Sequence, residues 1–404
     1  MAMKLIVLSP FVYYPGVPNG GGALCWGQLL ELARDNEIHF LSFANPNGDG
    51  LAQARAHLLS VCKTVTTLDQ RLGRLQVLRS KLCLLTRMRP VVASLCYSPE
   101  MQMALQDLLD KVQPDAVFIQ FPQMAQYVAV CHSVATVMDV QDAFSVSAYR
   151  NYMAARGWVK KSMALLAWLA WINYETHWYP RFSVTAALTS QDATGLEIFA
   201  PGLGATVSTA AVSVPALGRT PPAAKTMAFI GSYAHLPNVA AVLFFVHKVL
   251  PQVLAEVPDA VFLVAGKGVT AQMQALAGPH VQFVGMVPDA HAFLGSAAVV
   301  VVPLLSGGGI KIKTLEAMAA GCPIVSTSIG AEETGAESGK HLLVADSPQK
   351  FAQHVVHLLQ DTTSAQRLGF HARALAQAQF SWQSKRDSLN HQIAMAVARH
   401  RAMS

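Results

Sequence analysis

Residues Ser306–Thr327 read SGGGIKIKTLEAMAAGCPIVST. Glycines 307–309 run into a helical pattern, Ile310–Ala320, that holds Lys311, Lys313 and Glu316 and stops at Gly321. An apolar run, Ala298–Pro303, precedes the stretch, and another, Pro323–Ser326, ends it. Strand, glycine loop, helix and strand in that order make one turn of a parallel α/β fold. Glycine lets the backbone approach a ligand closely and adopt positive φ. The first turn of a helix offers amide N–H groups and the positive end of the dipole. Such a junction suits a phosphate. Lysines add positive charge matched to a diphosphate. Glu316, further along the helix, can accept two hydroxyl hydrogen bonds, as from a ribose. The plainer reading is a bare loop followed by a solvated Lys313–Glu316 pair of little energetic value.

The same alternation extends outward. Lys4–Leu8, Ile38–Phe43, Ala116–Gln120, Ala135–Asp139 and Val184–Leu188 read as one set of buried strands. Met227–Gly231, Ala260–Ala265, Val281–Val284, Ala298–Pro303 and Pro323–Ser326 read as a second. Unbroken apolar strands separated by helices indicate parallel sheets covered on both faces. The sets divide near PALGRTPPAAK (Pro215–Lys225). The expectation is two doubly wound, Rossmann-like domains joined by a hinge and facing a central cleft, with ligands beyond the carboxyl ends of the strands. A second glycine loop, Asn19–Gly22, follows the first strand and opens the run Ala23–Ala33.

Composition agrees with large cores. Of 404 residues, 52% are hydrophobic and only 13% charged, below the usual quarter or so. The net charge is +6, which favours phosphorylated small molecules or anionic lipid. No Lys/Arg block interleaved with aromatics appears, so nucleic acid is not an expected partner. The start, MAMKLIVLSPF, has too short an apolar run for a signal peptide, and no run reaches the roughly 18 residues of a membrane span. The six cysteines show no CxxC and are expected to be reduced and buried. No cluster has metal-ligand spacing, so no metal is expected.

The stretch resembles the donor-site signature of the family-four retaining glycosyltransferases, which have the GT-B architecture. FIGSYAHLPNVAAVLFFVHKVLPQVLAEVPDAVFLVAGKG (Phe229–Gly268) and VQFVGMVPDAHAFLGSAAVVVVPL (Val281–Leu304) are similar to earlier strands of that donor domain. Ser328–Leu359 and FSW (Phe380–Trp382) continue the likeness, and SPFVYYPGVPNGGG (Ser9–Gly22) is similar to the family's amino-terminal glycine loop. The branch it is nearest belongs to bacterial surface-polysaccharide and exopolysaccharide gene sets. The resemblance implies residues 1–215 as an acceptor-binding domain, 216–382 as a nucleotide-sugar donor domain, and 383–404 as a helix crossing back to the first. It implies retaining transfer from a UDP- or GDP-linked sugar to a hydroxyl of a lipid-linked or polysaccharide acceptor. No metal and no cofactor beyond the donor are implied. On this reading Glu316, Lys311 and Asp142 are catalytic, and Gly20, Gly21, Gly22, Gly231, Lys267, Gly307, Gly308, Gly309, Ile310 and Lys313 bind the donor.

This chain departs from the family in places. Many members carry an earlier glutamate where Gly308 stands, and cations where Gly231–Tyr233 and Pro237–Asn238 stand here. Lys311 is the expected replacement, with Lys313 and Lys267 as further candidates. The family often has a histidine after the fourth strand; this segment reads FIQFPQ (Phe118–Gln123). VMDVQD (Val137–Asp142) resembles a segment usually ending His-Asp, which gives Asp142 its role; a helix N-cap is the plain alternative.

Two segments suggest where the acceptor lies. RLGRLQVLRSKLCLLTRMR (Arg71–Arg89) holds six Lys/Arg and no acid, with leucines at 75, 78, 82 and 85 in helical spacing. WVKKSMALLAWLAWI (Trp158–Ile172) is apolar behind two lysines. They read either as helices packed on the sheet or as a basic surface on an anionic membrane. The protein is accordingly expected in the cytoplasm, with the inner face of the cytoplasmic membrane as a contact. Two other functions fit the same sequence: a sugar-nucleotide epimerase, and a non-catalytic subunit that binds nucleotide or glycan.

Overall fold

The computed structural model describes residues 2–15, 20–44, 51–70, 73–215, 223–307 and 309–403. The chain forms two compact units, Met1–Thr209 with Lys385–Ser404, and Ala210–Ser384. The first contains β1 (Lys4–Ser9), β2 (Glu37–Phe43), β3 (Thr64–Leu68), β4 (Ala116–Gln120), β5 (Ala135–Val140), β6 (Val184–Ala187) and β7 (Thr206–Val207). They make one parallel sheet in the order β3-β2-β1-β4-β5-β6-β7. The second contains β8 (Ala223–Ile230), β9 (Val261–Ala265), β10 (Val281–Gly285), β11 (Ala297–Val302), β12 (Ile324–Ser326) and β13 (Leu343–Val344), in the order β10-β9-β8-β11-β12-β13. These too pair in parallel.

The order reverses beside β1 in one sheet and beside β8 in the other. Each unit therefore has a switch point, where loops diverge beyond the strand ends and leave a crevice for a ligand. The two parallel sheets bear out the doubly wound α/β reading. The central strands are buried throughout: Leu5–Leu8 in β1 and Val299–Val302 in β11 are 2% exposed or less. Each such side chain contributes roughly 1.5–3 kcal/mol over leaving it in water.

Helices cover the sheets by ordinary local rules. Ser347 caps the helix Pro348–Gln360, accepting from Lys350 N, and Pro348 fixes φ in its first turn. That helix buries Phe351, Ala352, Val355 and Leu358. Phe245 packs edge-on to Phe351 and at a tilt to Phe262 of β9, at centroid distances of 6.1 and 4.4 Å. Phe245 lies in the stretch Leu236–Glu256, which is long and apolar enough to cross a membrane by length and composition. The sequence reading foresaw no such stretch. Its Val239, Val242, Phe245, Val249 and Val253 belong to the core cluster of the second unit, which makes it a core element there.

The cysteines are free; all but Cys83 are buried.

Candidate functional site

The second unit gathers several of the expected residues at its switch point. Gly231 follows β8, and the glycine loop follows β11. Gly307 and Gly309 have φ of +122° and +68°, so this loop uses conformations that other residues adopt at a cost. Gly308 lies outside the described residues.

The helix after the loop begins at Ile312, two residues later than its sequence pattern suggests, and runs to Ala319. That delay separates the two lysines. Lys311 occupies the N-cap position, with φ −93° and ψ 84° outside the helical region. Its Nζ donates to Gly309 O (2.6 Å) and pairs with Glu332 Oε2 (3.1 Å), and the side chain is 6% exposed. Lys311 thus ties the loop to the segment after β12.

Lys313 points elsewhere. Its ammonium donates to Asn238 Oδ1 and sits 4.5 Å over the Phe229 ring. Asn238 Nδ2 in turn donates to Ser232 O (2.8 Å), which fixes the amide's orientation. A Cβ added to Gly231 would lie 3.2 Å from Lys313 Nζ and 2.9 Å from Asn238 Nδ2. The fold therefore sets Lys313, not Lys311, beside Gly231. The sequence placed Asn238 where the family has a cation; it could not show that Asn238 receives one from another helix.

Glu316 is one turn beyond Lys313. Burial raises its carboxyl to about 7, with the nearby Lys313 charge acting against the rise. Burial likewise lowers Lys313 to about 8, while Glu316 opposes that shift and Lys311 adds to it. A half-buried cation and a carboxylate poised near neutrality are groups a polar ligand can engage. Thr314 Oγ1 donates to Gly330 O (2.8 Å) and locks the helix carrying both onto the β12 side.

The loop after β9 is bonded to the segment after β8. Tyr233 N donates to Lys267 O (3.0 Å), and Tyr233 Oη donates to Ala265 O (2.8 Å). Lys267 is exposed, and Ile310 is half-buried against the core. Gly266 has φ +132°, and a Cβ there would fall 1.8 Å from Gly231 O. We expect Gly266→Ala to destabilise the protein by about 3 kcal/mol, because both strain and backbone overlap must be relieved. Urea unfolding checks this, and a loss under about 1 kcal/mol would mean the loops yield freely.

The first unit holds the other candidates. Gly20, Gly21 and Gly22 form the first turn of the helix Gly20–Ala33. Asp142 follows β5 and accepts from Ser147 Oγ at 2.8 and 3.0 Å. Burial raises its carboxyl, and the Ser147 bond offsets part of that. It is not the N-cap of the next helix, Phe144–Ala154, where Ala143 stands. That helix start is instead served by Glu175, whose carboxylate accepts from Ser145 N (3.2 Å) and is raised by burial to about 7. The sequence reading missed Glu175, since it lies in an apolar helical run with no motif around it. Phe121, directly after β4, has φ +68°, a strained conformation at the end of a central strand.

Asp139, near the end of β5, is 1% exposed within a polar network. With its amide turned to satisfy both neighbours, Gln28 donates to Asp139 Oδ2 (3.1 Å) and accepts from Lys385 Nζ (3.1 Å). Lys385 Nζ also donates to Ser208 O and Oγ, both at 2.8 Å. Burial lowers Lys385 to about 8, against the pull of Asp139. The sequence reading missed Lys385 as well, because its helix is polar and far along the chain.

Residues 224–361, within the second unit, match the family model described as glycosyl transferases group 1. An uncharacterized 44.6 kDa protein in the cps region of Klebsiella pneumoniae is 27% identical over 161 residues, covering 38% of this chain and 42% of that protein. The phosphatidyl-myo-inositol mannosyltransferase of Mycobacterium leprae is 32% identical over 162 residues, again covering 38% and 42%. The matched stretch thus spans less than half the length of these relatives. Among solved structures, sucrose-phosphate synthase from Thermosynechococcus elongatus superposes with a TM-score of 0.68 at 16% identity, covering 98% of this chain and 99% of that one. Anabaena HepE in complex with UDP and glucose gives 0.60 at 15%, covering 97% and 99%. At such identities these structures show the fold, which is the two-domain GT-B architecture.

Proposed function

We propose that this protein is a retaining glycosyltransferase of bacterial glycan assembly. It moves a sugar from a nucleoside-diphosphate donor, UDP- or GDP-linked, to a hydroxyl of a lipid-linked or polysaccharide acceptor. One observation carries the reading: the Lys313 ammonium is fixed by Asn238 beside Gly231 at a switch point, one turn from Glu316. The matched family and the mannosyltransferase relative support it. So does HepE, whose solved complex holds UDP and glucose.

On this reading the amides of the loop at Gly307–Gly309 and the Lys313 charge receive the diphosphate. Glu316 accepts the ribose hydroxyls. Charge grows on the leaving diphosphate as the sugar bond breaks, so fixed dipoles and a cation stabilise the transition state more than the ground state. The acceptor attacks from the face that the diphosphate leaves, and a diphosphate oxygen takes the acceptor's proton. No enzyme base is then needed, and on this reading the Lys313 charge balances the leaving diphosphate. Lys311 holds the loop through Gly309 O rather than contacting phosphate.

This reading sets a pH profile. Glu316 offers both oxygens as acceptors only when ionised, so kcat/KM rises with pH through about 7. Lys313 works only when charged, so the value falls above about 8. The two groups interact, and the limbs belong to the pair. The test is release of UDP or GDP from sugar nucleotides, with and without EDTA. Glu316→Gln should lose about tenfold in donor kcat/KM and flatten the acid limb. Formation of a new sugar nucleotide with no diphosphate release would show an epimerase, and nucleotide binding with neither outcome a non-catalytic subunit.

A further inference from the structure

The helix Arg74–Arg87 of the first unit is turned inside out. Ser80 and Leu84 are its buried residues. Leu75, Leu78, Leu82 and Leu85 are 72%, 64%, 56% and 64% exposed. At the pitch of an α-helix these four leucines share an arc of about 80°, on the side away from Ser80 and Leu84. Exposed Arg79 borders the arc on one side, and exposed Arg74 and Lys81 border it on the other. The helix has no acidic residue.

A helix that serves a core hides its leucines and shows its charges. Here the leucines face outward, so packing on the sheet does not account for them. A contiguous exposed apolar patch marks a surface that something covers. The rim of cations selects what covers it. A second copy would bring the same positive rim against itself, and like charges would meet. A bilayer interface takes leucines into the acyl boundary and leaves arginine and lysine among the headgroups. Anionic headgroups supply the missing opposite charge. The same unit exposes Trp158 by 81% at the start of the helix Trp158–Trp178, followed by exposed Lys160 and Lys161. Tryptophan is the side chain suited to the headgroup level. The two helices are fastened together where Asn173 Nδ2 donates to Met88 O (3.2 Å).

We propose that the outward leucine stripe of Arg74–Arg87, with its basic rim, docks the first unit on an anionic lipid bilayer. The contact is peripheral and reversible, because one short amphipathic helix inserts only shallowly. It does not depend on the transfer reading, and its test uses no nucleotide.

Flotation of the full chain with phosphatidylcholine vesicles, and with vesicles of phosphatidylcholine and phosphatidylglycerol in equal parts, tests it. The chain should float with the anionic vesicles, and high salt should release most of it. The double variant Leu78→Ser/Leu82→Ser should bind about tenfold more weakly while melting at the same temperature, since both leucines are exposed. Arg79→Glu/Lys81→Glu should lose the preference for anionic lipid. Equal flotation with both vesicle types, or unchanged binding by the leucine variant, overturns the proposal. So does a chain that ignores vesicles but changes from dimer to monomer on Leu78→Ser/Leu82→Ser, which would assign the stripe to a second copy.

Discussion

Lys313→Ala should lower turnover of a nucleotide-sugar donor by about 10²–10³-fold, the scale of removing one preorganised group that stabilises developing charge. Lys313 is half-buried and already oriented by Asn238, so no reorganisation is needed when diphosphate charge appears. Water cannot replace it well, because Phe229 lies under the ammonium. Nucleoside diphosphate release and calorimetric binding of UDP and GDP both read the effect. Lys313→Arg should recover little, since the guanidinium is larger and forks where Asn238 offers one oxygen. Lys311→Ala gives the contrast. Its ammonium is taken up by Gly309 O and Glu332, so the change should act through the loop and lower thermal stability as well. If Lys313→Ala turns over within about twofold of the parent, the assignment of Lys313 is wrong.

Lys385→Ala should destabilise the protein by about 3–5 kcal/mol, the usual result of stripping a buried charge of its compensation. Lys385 is 3% exposed and Asp139 is 1% exposed. Removing the lysine leaves Asp139 facing Gln28 and Gln141 without that cation, and leaves Ser208 O without its Lys385 donor. Asp139→Asn combined with Lys385→Met should be less damaging than the single change, because neither charge is then stranded. Thermal and urea unfolding of the parent, that double variant and its two single changes, Asp139→Asn and Lys385→Met, give the coupling. A single variant as stable as the parent would show that Asp139 is neutral and needs no partner.

How much of this was legible depended on the physical signal at each place. β1, β4, β8 and β11 stood out because strands buried on both faces must be apolar throughout. β3, with the sequence TVTTL, did not, because an edge strand keeps polar residues. β7 and β13 have two residues each and leave no pattern. The glycine loop was legible, but the roles of its lysines were not. Pattern alone started the helix at Ile310, and a start at Ile312 turns Lys311 toward Glu332 and Lys313 toward Gly231. Asn238 and Lys313 are far apart in sequence, so their hydrogen bond could not be seen before the fold. The leucines of Arg74–Arg87 had the right spacing for a helix, but spacing does not tell which side faces the protein.

The first unit is built from two separated pieces of chain. Leu389, Ile393 and Ala396, which come after the whole second unit, complete the cluster that also contains Leu5, Val7 and Val137. A ribosome therefore delivers the first sheet long before the side chains that finish covering it. The second unit, one continuous segment, can fold while that surface still waits. A nascent chain stalled before residue 385 would hold a finished second unit and an open first one, a form that chaperones would recognise and that the released protein would not show.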